Sequence, residues 1–367
     1  MSSAARPMAE FRAVSKSYDG RTGVVRQLDL SVARGEMLSL LGPSGAGKTT
    51  VLMMLAGHVA PTSGQILLRG QLVTRTPPAR RGIGLLAQSP QLLAHKSVAA
   101  NVALALDGAR IGRAERDARI ASVLDQVRLG GLADRLAARL SSGQRTRVAL
   151  AQALLSAPDF LLMDEPLGTL DRELREELLS EIRALHRRLG VSMLHVTHEQ
   201  MEALAFSDRV AVLHRGVLRQ VATPEAIYEA PADAFVAGFV GDNNRLAGRI
   251  VGIEDAIARV KLAAGPEVEA RLAGTLGVGQ ACVVCVRPER VALAAITARD
   301  MGEDALSAVV LDVQYRGDHL RIRLALGRDT EITIKRPAAA GLGGLAVNQP
   351  AAVVWQGYHA WVFAPES

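Results

Sequence analysis

Short apolar runs alternate with segments of helical periodicity along the first two thirds of the chain. Residues 37–41 form an apolar run that predicts a buried strand. A helix is predicted after it at residues 48–56. Two more buried strands are predicted at residues 160–163 and 192–196, after a stretch that is helical almost throughout. The pattern therefore predicts an α/β domain with parallel strands and a helical subdomain inserted at about residues 97–157.

The pattern changes in the last third of the chain. Residues 231–244 end a helical segment with glycine and asparagine residues, which is typical of a domain junction. Beyond it, turn residues separate short β-rich runs, which are residues 249–251, 282–286, 308–313, 320–324 and 352–355. We therefore expect the α/β domain at residues 1–240 and a small all-β domain at residues 241–367.

Composition excludes several classes of protein. The chain has 367 residues, of which 49% are hydrophobic, so it can bury a large core. Only 3% of residues are aromatic, and the basic residues behind the charge of +6 are spread out, so we expect no nucleic-acid partner. The sequence starts without a signal-peptide pattern and contains no apolar run of about 18 residues, so we expect a cytoplasmic location.

Two cysteines, Cys282 and Cys285, raise the question of a metal site. A structural zinc site needs four ligands, and no further ligands stand nearby at suitable spacing. Residues three apart in a strand face opposite sides, so the apolar segment 282–286 indicates a buried strand. We therefore expect both thiols to lie in the core.

A glycine-rich segment with the pattern G-x-x-x-x-G-K-[ST] links the first predicted strand to its helix. Its backbone N–H groups would surround phosphate oxygens at the positive end of the helix. Lys48 would contact the β- and γ-phosphates, and the Thr49 hydroxyl would hold Mg²⁺. An ordinary glycine turn is the alternative, which the flanking strand and helix disfavour. The predicted ATP-binding residues of this phosphate loop are Gly42, Pro43, Ser44, Gly45, Ala46, Gly47, Lys48, Thr49 and Thr50.

Two carboxylates, Asp164 and Glu165, follow the apolar strand predicted at residues 160–163. In an α/β sheet the end of such a strand meets the phosphate loop, so Asp164 is suited to help coordinate Mg²⁺. Glu165 could orient and deprotonate the attacking water as a general base. A helix N-cap before Pro166 is the alternative for the acidic pair taken alone.

Three further segments gain meaning from their order along the chain. Gln88 follows an apolar run, residues 140–145 read Leu-Ser-Ser-Gly-Gln-Arg, and His198 follows a predicted strand. Singly, they are explained as a loop amide, a helix cap at Ser141 and a polar residue at a strand end. Together with the phosphate loop and the acidic pair, they closely resemble the ATPase subunit of ABC transporters over residues 8–241.

The resemblance implies a P-loop NTPase that works as a homodimer with ATP and Mg²⁺. In that family each ATP lies between the phosphate loop of one subunit and the signature segment of the other. The signature residues of this chain, which would contact the ATP of the partner copy, are Ser141, Ser142, Gly143 and Gln144.

The resemblance also implies roles for single residues. Tyr18 would stack on adenine, although a surface tyrosine in a loop is the alternative. Gln88 would sense metal and water and relay the nucleotide state to the membrane subunit, and His198 would contact the γ-phosphate. Asp171 belongs to the segment that crosses the dimer interface. The expected catalytic residues are thus Glu165, His198 and Gln88, and the expected metal site comprises Thr49, Gln88 and Asp164.

Three positions depart from the family pattern. Ser142 replaces a glycine, so its Cβ is expected to restrict the approach to phosphate. Gly168 replaces a serine, so a hydrogen bond across the interface is expected to be missing. After Gln88, where importers often carry aromatics and a proline, the chain has Pro90, Leu93 and Ala94, which bears on the choice of membrane partner.

The order of the domains narrows the resemblance to importers. A single motor followed by a small β domain is similar to the importers of maltose, sulfate, iron, molybdate and polyamines, whose β domain is a TOBE or OB-like regulatory module. Residues 239–246 and 286–291 resemble the polyamine and iron types. The resemblance implies two integral membrane permease subunits as partners, an extracytoplasmic solute-binding protein as an indirect partner, and a peripheral position on the inner face of the cell membrane.

Other functions share the motor motifs. A soluble ABC ATPase of translation or DNA repair usually carries two motors or long coiled-coil insertions, which this sequence lacks. A regulatory ATPase whose β domain senses a ligand is the alternative, and its basal turnover with and without candidate ligands would separate it from a transport motor. A P-loop kinase gives no reason for residues 140–144 or for His198.

Overall fold

Two compact units, Met1–Ile227 and Tyr228–Ser367, make up the chain in a computed structural model. The residues described are 6–108, 110–168, 170–294, 305–341 and 346–366. Within these ranges no helix combines the length and the apolar character that a membrane crossing requires. The boundary expected after residue 240 falls later than this division, because the last helix of the chain packs within the second unit.

Among the described residues of the first unit, ten strands build two sheets. They are β1 (Ala9–Ser17), β2 (Gly23–Val32), β3 (Met37–Leu41), β4 (Ser63–Leu68), β5 (Gln71–Leu72), β6 (Ile83–Leu86), β7 (Phe160–Asp164), β8 (Ser192–Thr197), β9 (Arg209–His214) and β10 (Val217–Ala222). The central sheet has the order β10-β9-β3-β8-β7-β6, with β10 antiparallel to the parallel strands. Strands β3, β7 and β8 are buried along their whole length, which explains their continuous apolar runs.

The second sheet of this unit, β2-β1-β4-β5, is antiparallel. The α-helices within the described ranges are α1 (Lys48–Ala56), α2 (Val98–Ala103), α3 (Arg113–Gln126), α4 (Ser142–Leu155), α5 (Arg172–Leu189), α6 (Gln200–Phe206), α7 (Pro224–Glu229) and α8 (Ala234–Phe239). Helices α2, α3 and α4 share one apolar core that includes Val102, Leu124 and Leu150. These three helices lie in the stretch that the sequence marks as helical.

The part of the second unit that the structure describes also contains ten strands. They are β11 (Asn244–Glu254), β12 (Ile257–Leu262), β13 (Glu267–Leu272), β14 (Ala281–Val286), β15 (Ala292–Ala294), β16 (Leu306–Tyr315), β17 (His319–Ala325), β18 (Glu331–Pro337), β19 (Pro350–Val354) and β20 (Ala360–Phe363). Strands β11-β12-β13-β20-β14 close into a barrel, and β15-β19-β16-β17-β18 form a second sheet. The prediction of an α/β domain followed by a small all-β domain is confirmed.

Both cysteines lie on β14 and are buried. Cys282 packs in the main core of the second unit, whereas Cys285 packs against Ala234 and Phe363 in a separate cluster. Burial raises the pKa of both thiols, and that of Cys285 to about 11. The prediction of core thiols is confirmed.

Candidate active site

The loop between β3 and α1 is held in a shape that favours glycine at several positions. Gly45 and Gly47 have φ angles of 77° and 100°, in the left-handed region that other residues rarely adopt. A Cβ on Gly47 would lie 2.6 Å from the carbonyl oxygen of Val24, and one on Gly42 would lie 2.2 Å from that of Leu213. The backbone amides of the loop therefore gather without side chains at the N-terminus of α1, where a helix favours an anion.

Lys48 opens α1, and its side chain folds back over the loop. Its ammonium group donates to the carbonyl oxygens of Gly42 at 2.8 Å and Pro43 at 3.0 Å. Burial lowers the pKa of Lys48, while the carboxylates of Glu165 and Asp164 act in the opposite direction. Phosphate oxygens would offer this cation stronger, charge-assisted partners than the two carbonyls do.

A hydroxyl and a carboxylate meet where α1 faces the end of β7. The Thr49 Oγ1 atom donates to Asp164 Oδ1 at 3.1 Å. Burial is the main cause that raises the pKa of Asp164, and the hydrogen bond from Thr49 lowers it in part. Hydroxyl and carboxylate oxygens are suitable ligands for Mg²⁺. The described residues contain no group of three or more His, Cys, Asp or Glu placed to hold a metal.

A second polar pair joins the ends of β7 and β8. The Nδ1 atom of His198 lies 3.0 Å from Glu165 Oε2. Glu165 has a φ angle of 45°, and its N–H donates to the carbonyl oxygen of Val196 at 3.0 Å. A left-handed backbone is unusual for glutamate and is typical of functional sites. Glu165 thus combines an unusual backbone conformation with a carboxylate that lies against His198.

The loop and the second pair open into one cavity of about 450 Å³. Its lining residues are Val24, Ser44, Gly45, Ala46, Gly47, Lys48, Thr49, Thr50, Glu165 and His198. The structure thus brings together three segments that are far apart in the sequence. Val24 was missed by sequence reasoning, because its contribution depends on the approach of β2 to the loop and has no motif.

Of the residues expected near the nucleotide and its metal, Gly42, Pro43, Asp164, Gln88 and Tyr18 do not line this cavity. Gly42, Pro43 and Asp164 still contact Lys48 or Thr49, but Gln88 and Tyr18 lie elsewhere. Gln88 is exposed immediately after β6. Tyr18 has 64% of its surface exposed, and the Lys16 ammonium lies 4.9 Å from the centre of its ring. Neither side chain is therefore placed against the phosphate loop within a single chain.

The signature residues begin α4 and also lie outside the cavity. Ser141 Oγ accepts from the backbone N–H of Gln144 at 3.3 Å, and Gln144 Oε1 accepts from that of Ser141 at 3.1 Å. This capping box uses the Gln144 side chain inside its own helix. Ser142 is partly exposed, whereas Gly143 is buried so closely that a Cβ would lie 2.8 Å from the side chain of Leu174.

The segment expected to cross the interface leads into α5. Asp171 caps this helix, accepting from the backbone N–H of Leu174 at 3.0 Å. Gly168 is exposed, and a Cβ there would make an ordinary contact of 3.6 Å with the carbonyl oxygen of Glu165. Of this segment, residue 169 lies outside the described residues.

Sequence reasoning also missed a polar network beneath His198. Thr197, the preceding residue, donates its hydroxyl hydrogen to Glu202 Oε2 at 2.9 Å. Glu202 is buried on α6 and also approaches Arg175 and the buried imidazole of His195. In the sequence, the only hint of this network is Glu202, a carboxylate four residues after His198.

Comparison with known proteins agrees with this geometry. A family model described as ABC transporter matches residues 25–168, and one described as TOBE domain matches residues 284–363. Among solved structures, cbiO1 from Clostridium perfringens, part of the ABC transporter complex cbiONQ, has a TM-score of 0.57 at 26% identity. That match covers 60% of this chain and 90% of the other.

Curated relatives match over most of both units. The spermidine/putrescine import ATP-binding protein PotA of Trichodesmium erythraeum is 38% identical over 334 residues, which is 89% of this chain and 87% of that protein. The protein of the same name from Thermobifida fusca is 38% identical over 365 residues, or 98% and 94% of the two chains. The chain therefore belongs to the family of ABC transporter ATP-binding proteins, with a TOBE domain at its C-terminal end.

Proposed function

We propose that this chain is the ATP-hydrolysing subunit of an ABC importer and that it powers the uptake of polyamines. The observation that carries the proposal is the single cavity in which the phosphate loop meets Glu165 and His198. The names of the full-length relatives, spermidine/putrescine import ATP-binding proteins, support the solute class.

The residues around the cavity suit phosphoryl transfer to water. Lys48 would exchange its carbonyl partners on Gly42 and Pro43 for phosphate oxygens, and the amides of the loop would hold the remaining charge. Glu165 would accept a proton from the attacking water, since its backbone directs the carboxylate into the cavity. His198, 3.0 Å away, would keep that carboxylate oriented and face the γ-phosphate.

Mg²⁺ fits the donor chemistry at the end of β7. The Thr49 hydroxyl would hold it directly, and Asp164 would act through that hydroxyl or through water. Bound Mg²⁺ would neutralise part of the charge on the phosphates. Gln88, which the family resemblance also places at the metal, would have to approach from its exposed position after β6.

We also propose that two copies of the chain complete two nucleotide sites. None of Ser141, Ser142, Gly143 and Gln144 lines the cavity of its own chain. Ser141 and Asp171 each begin a helix, and helix N-termini favour anions such as a bound nucleotide on a second copy. The signature is therefore available to a partner, as a head-to-tail dimer requires.

The assembly follows from this proposal. Residues 1–240 would form the motor, with the helical subdomain at about residues 97–157, and residues 241–367 would regulate it. The dimer would bind two integral membrane permease subunits from the cytoplasm, as a peripheral protein on the inner face of the cell membrane. An extracytoplasmic solute-binding protein would deliver the solute to the permease.

The substitution Glu165→Gln tests the catalytic assignment. We expect ATP hydrolysis to fall by at least about 100-fold, because a general base typically contributes that factor or more. ATP binding, measured by equilibrium titration, should persist because the phosphate loop is unchanged. Glu115→Gln is the matched control, since its carboxylate is exposed on α3 and does not line the cavity. Hydrolysis by Glu165→Gln at the parent rate would show that another group acts on the water.

Uptake into vesicles tests the solute class. The chain would be reconstituted with its permease subunits and solute-binding protein, and ATP-dependent accumulation of labelled spermidine would be measured. We expect uptake with the parent chain and none with Glu165→Gln. Normal ATP hydrolysis without spermidine uptake would refute the polyamine assignment and leave the ATPase assignment standing.

A further inference from the structure

Two segments of the proposed dimer site are each preceded by a residue that is tied into the same polar network. The carbonyl oxygen of Leu170, just before Asp171, accepts from Arg175 Nη2 at 3.0 Å. The hydroxyl of Thr197, just before His198, donates to a Glu202 carboxylate oxygen at 2.9 Å. These two hydrogen bonds therefore anchor the residues that immediately precede Asp171 and His198.

Arg175 and Glu202 form the link between these two ends. Arg175 Nε lies 3.6 Å from Glu202 Oε1, and their side chains are 22% and 10% exposed. The Nη1 atom of Arg175 lies 3.5 Å from Glu199 Oε1. Removing one partner of a buried ion pair leaves the other charge uncompensated, so the pair constrains α5 and α6 strongly.

The link also contains unused hydrogen-bonding capacity. Arg175 Nε and His195 Nε2 are buried without a hydrogen-bond partner, and both face the carboxylate of Glu202. His195 Nε2 lies 3.9 Å from Glu202 Oε2, and Ser39 Oγ lies 3.2 Å from the other ring nitrogen. Both nitrogen atoms lie just outside hydrogen-bonding distance of the Glu202 carboxylate. A small shift of α5 against α6 would therefore exchange partners within the network.

We propose that Arg175 and Glu202 are positioning residues that couple the segment at Asp171 to the orientation of His198. Contact of a second copy with Asp171 would move the Leu170 carbonyl, which Arg175 holds. Arg175 would then change its contact with Glu202, and Thr197 would carry the change to the backbone of His198. This inference rests on the proposed function, because it concerns how a nucleotide site responds to the second copy.

Kinetics of Arg175→Lys and Glu202→Gln test the coupling. We expect each substitution to lower kcat about tenfold, because small displacements of catalytic groups have effects of this size. The Kd for ATP should change by less than about twofold, since neither residue lines the cavity. The double variant should be no slower than the slower single variant, because both substitutions break one link.

Arg183→Lys is the matched control. Arg183 donates to the Ala205 carbonyl oxygen at 2.9 Å, so it joins the same two helices but contacts neither segment. We expect its kcat to equal that of the parent, even where its Tm falls as far as that of Arg175→Lys. Parent-like kcat in both test variants, or multiplied losses in the double variant, would overturn the inference.

The parent and Glu165→Gln separate the two levels of proposal. If the parent hydrolyses ATP no faster than Glu165→Gln, the proposed function itself fails. If the parent is active and the test variants behave like Arg183→Lys, the coupling alone fails.

Discussion

Gly143 offers a test of how closely the signature must pack within its own chain. An added Cβ would lie 2.8 Å and 3.1 Å from the two methyl carbons of Leu174, on the helix that follows the crossing segment. Apolar carbons prefer separations of about 3.5–4.0 Å, so Gly143→Ala forces the two helices apart or displaces the leucine. The substitution therefore displaces the signature residues at the start of α4 through a clash within their own chain.

The size of the effect follows from these distances. Overpacking typically costs about 1–3 kcal/mol. Replacing glycine by alanine in a helix returns up to about 1 kcal/mol, so we expect a net loss near 1 kcal/mol. For a unit of this size the Tm should fall by about 2–4 °C. ATP hydrolysis should fall more steeply, because the signature shifts relative to the nucleotide of the partner copy.

The assay compares Gly143→Ala with Gly143→Ala/Leu174→Ala and with Leu174→Ala alone. The shortened side chain at residue 174 makes room for the added methyl group. In scanning calorimetry, adding Gly143→Ala to Leu174→Ala should lower the Tm by less than adding it to the parent chain. The rate of ATP hydrolysis should show the same smaller loss. If the Tm recovers while hydrolysis stays as low as in Gly143→Ala, the clash with Leu174 is not the cause of lost activity, and the methyl group acts at the nucleotide instead.

Two further predictions concern buried titratable groups. Burial raises the pKa of Asp164, so the free energy of unfolding falls as pH rises through that pKa and the side chain ionises. At pH 7, Asp164→Asn should therefore raise the Tm in calorimetry and abolish Mg²⁺-dependent hydrolysis. An unchanged or lower Tm would contradict this prediction. Burial lowers the pKa of His195 from 6.5 to about 4, so the stability present above pH 6.5 should fall by about 3 kcal/mol as pH drops to about 4. Urea titrations should show a weaker pH dependence for His195→Gln, and identical curves would contradict a buried neutral imidazole.

Much of the fold was predictable because its central strands are simple in sequence. Strands β3, β7 and β8 are buried on both faces, so their sequences are mainly apolar, with few buried polar residues such as Ser39 and His195. The phosphate loop was predictable for a different reason. Its glycines are required by the backbone itself, at Gly47 through a left-handed conformation and the nearby Val24 carbonyl oxygen.

Other features depend on contacts that leave no periodic signal. The link between Arg175 and Glu202 joins charged residues of two helices, and charged residues on a helix are ordinarily expected to face solvent. The sequence prediction assigns α8 to the first domain because it reads as a continuation of the helical region, whereas the compact units divide after Ile227. In the structure its residues Ala234 and Ala237 pack against Cys285 of the second unit. Such pairings are set by the tertiary fold.

The two natural thiols make the chain convenient for site-specific labelling. Cys282 and Cys285 are its only cysteines, and both are buried in β14 with a raised pKa. The thiolate is the form that attacks alkylating reagents, so neither sulfur should react readily at neutral pH in the native protein. A cysteine introduced at exposed Glu173, near the start of α5, would therefore carry a fluorophore selectively. Distances between two such dyes could follow the approach of two copies in real time without redesign of the barrel.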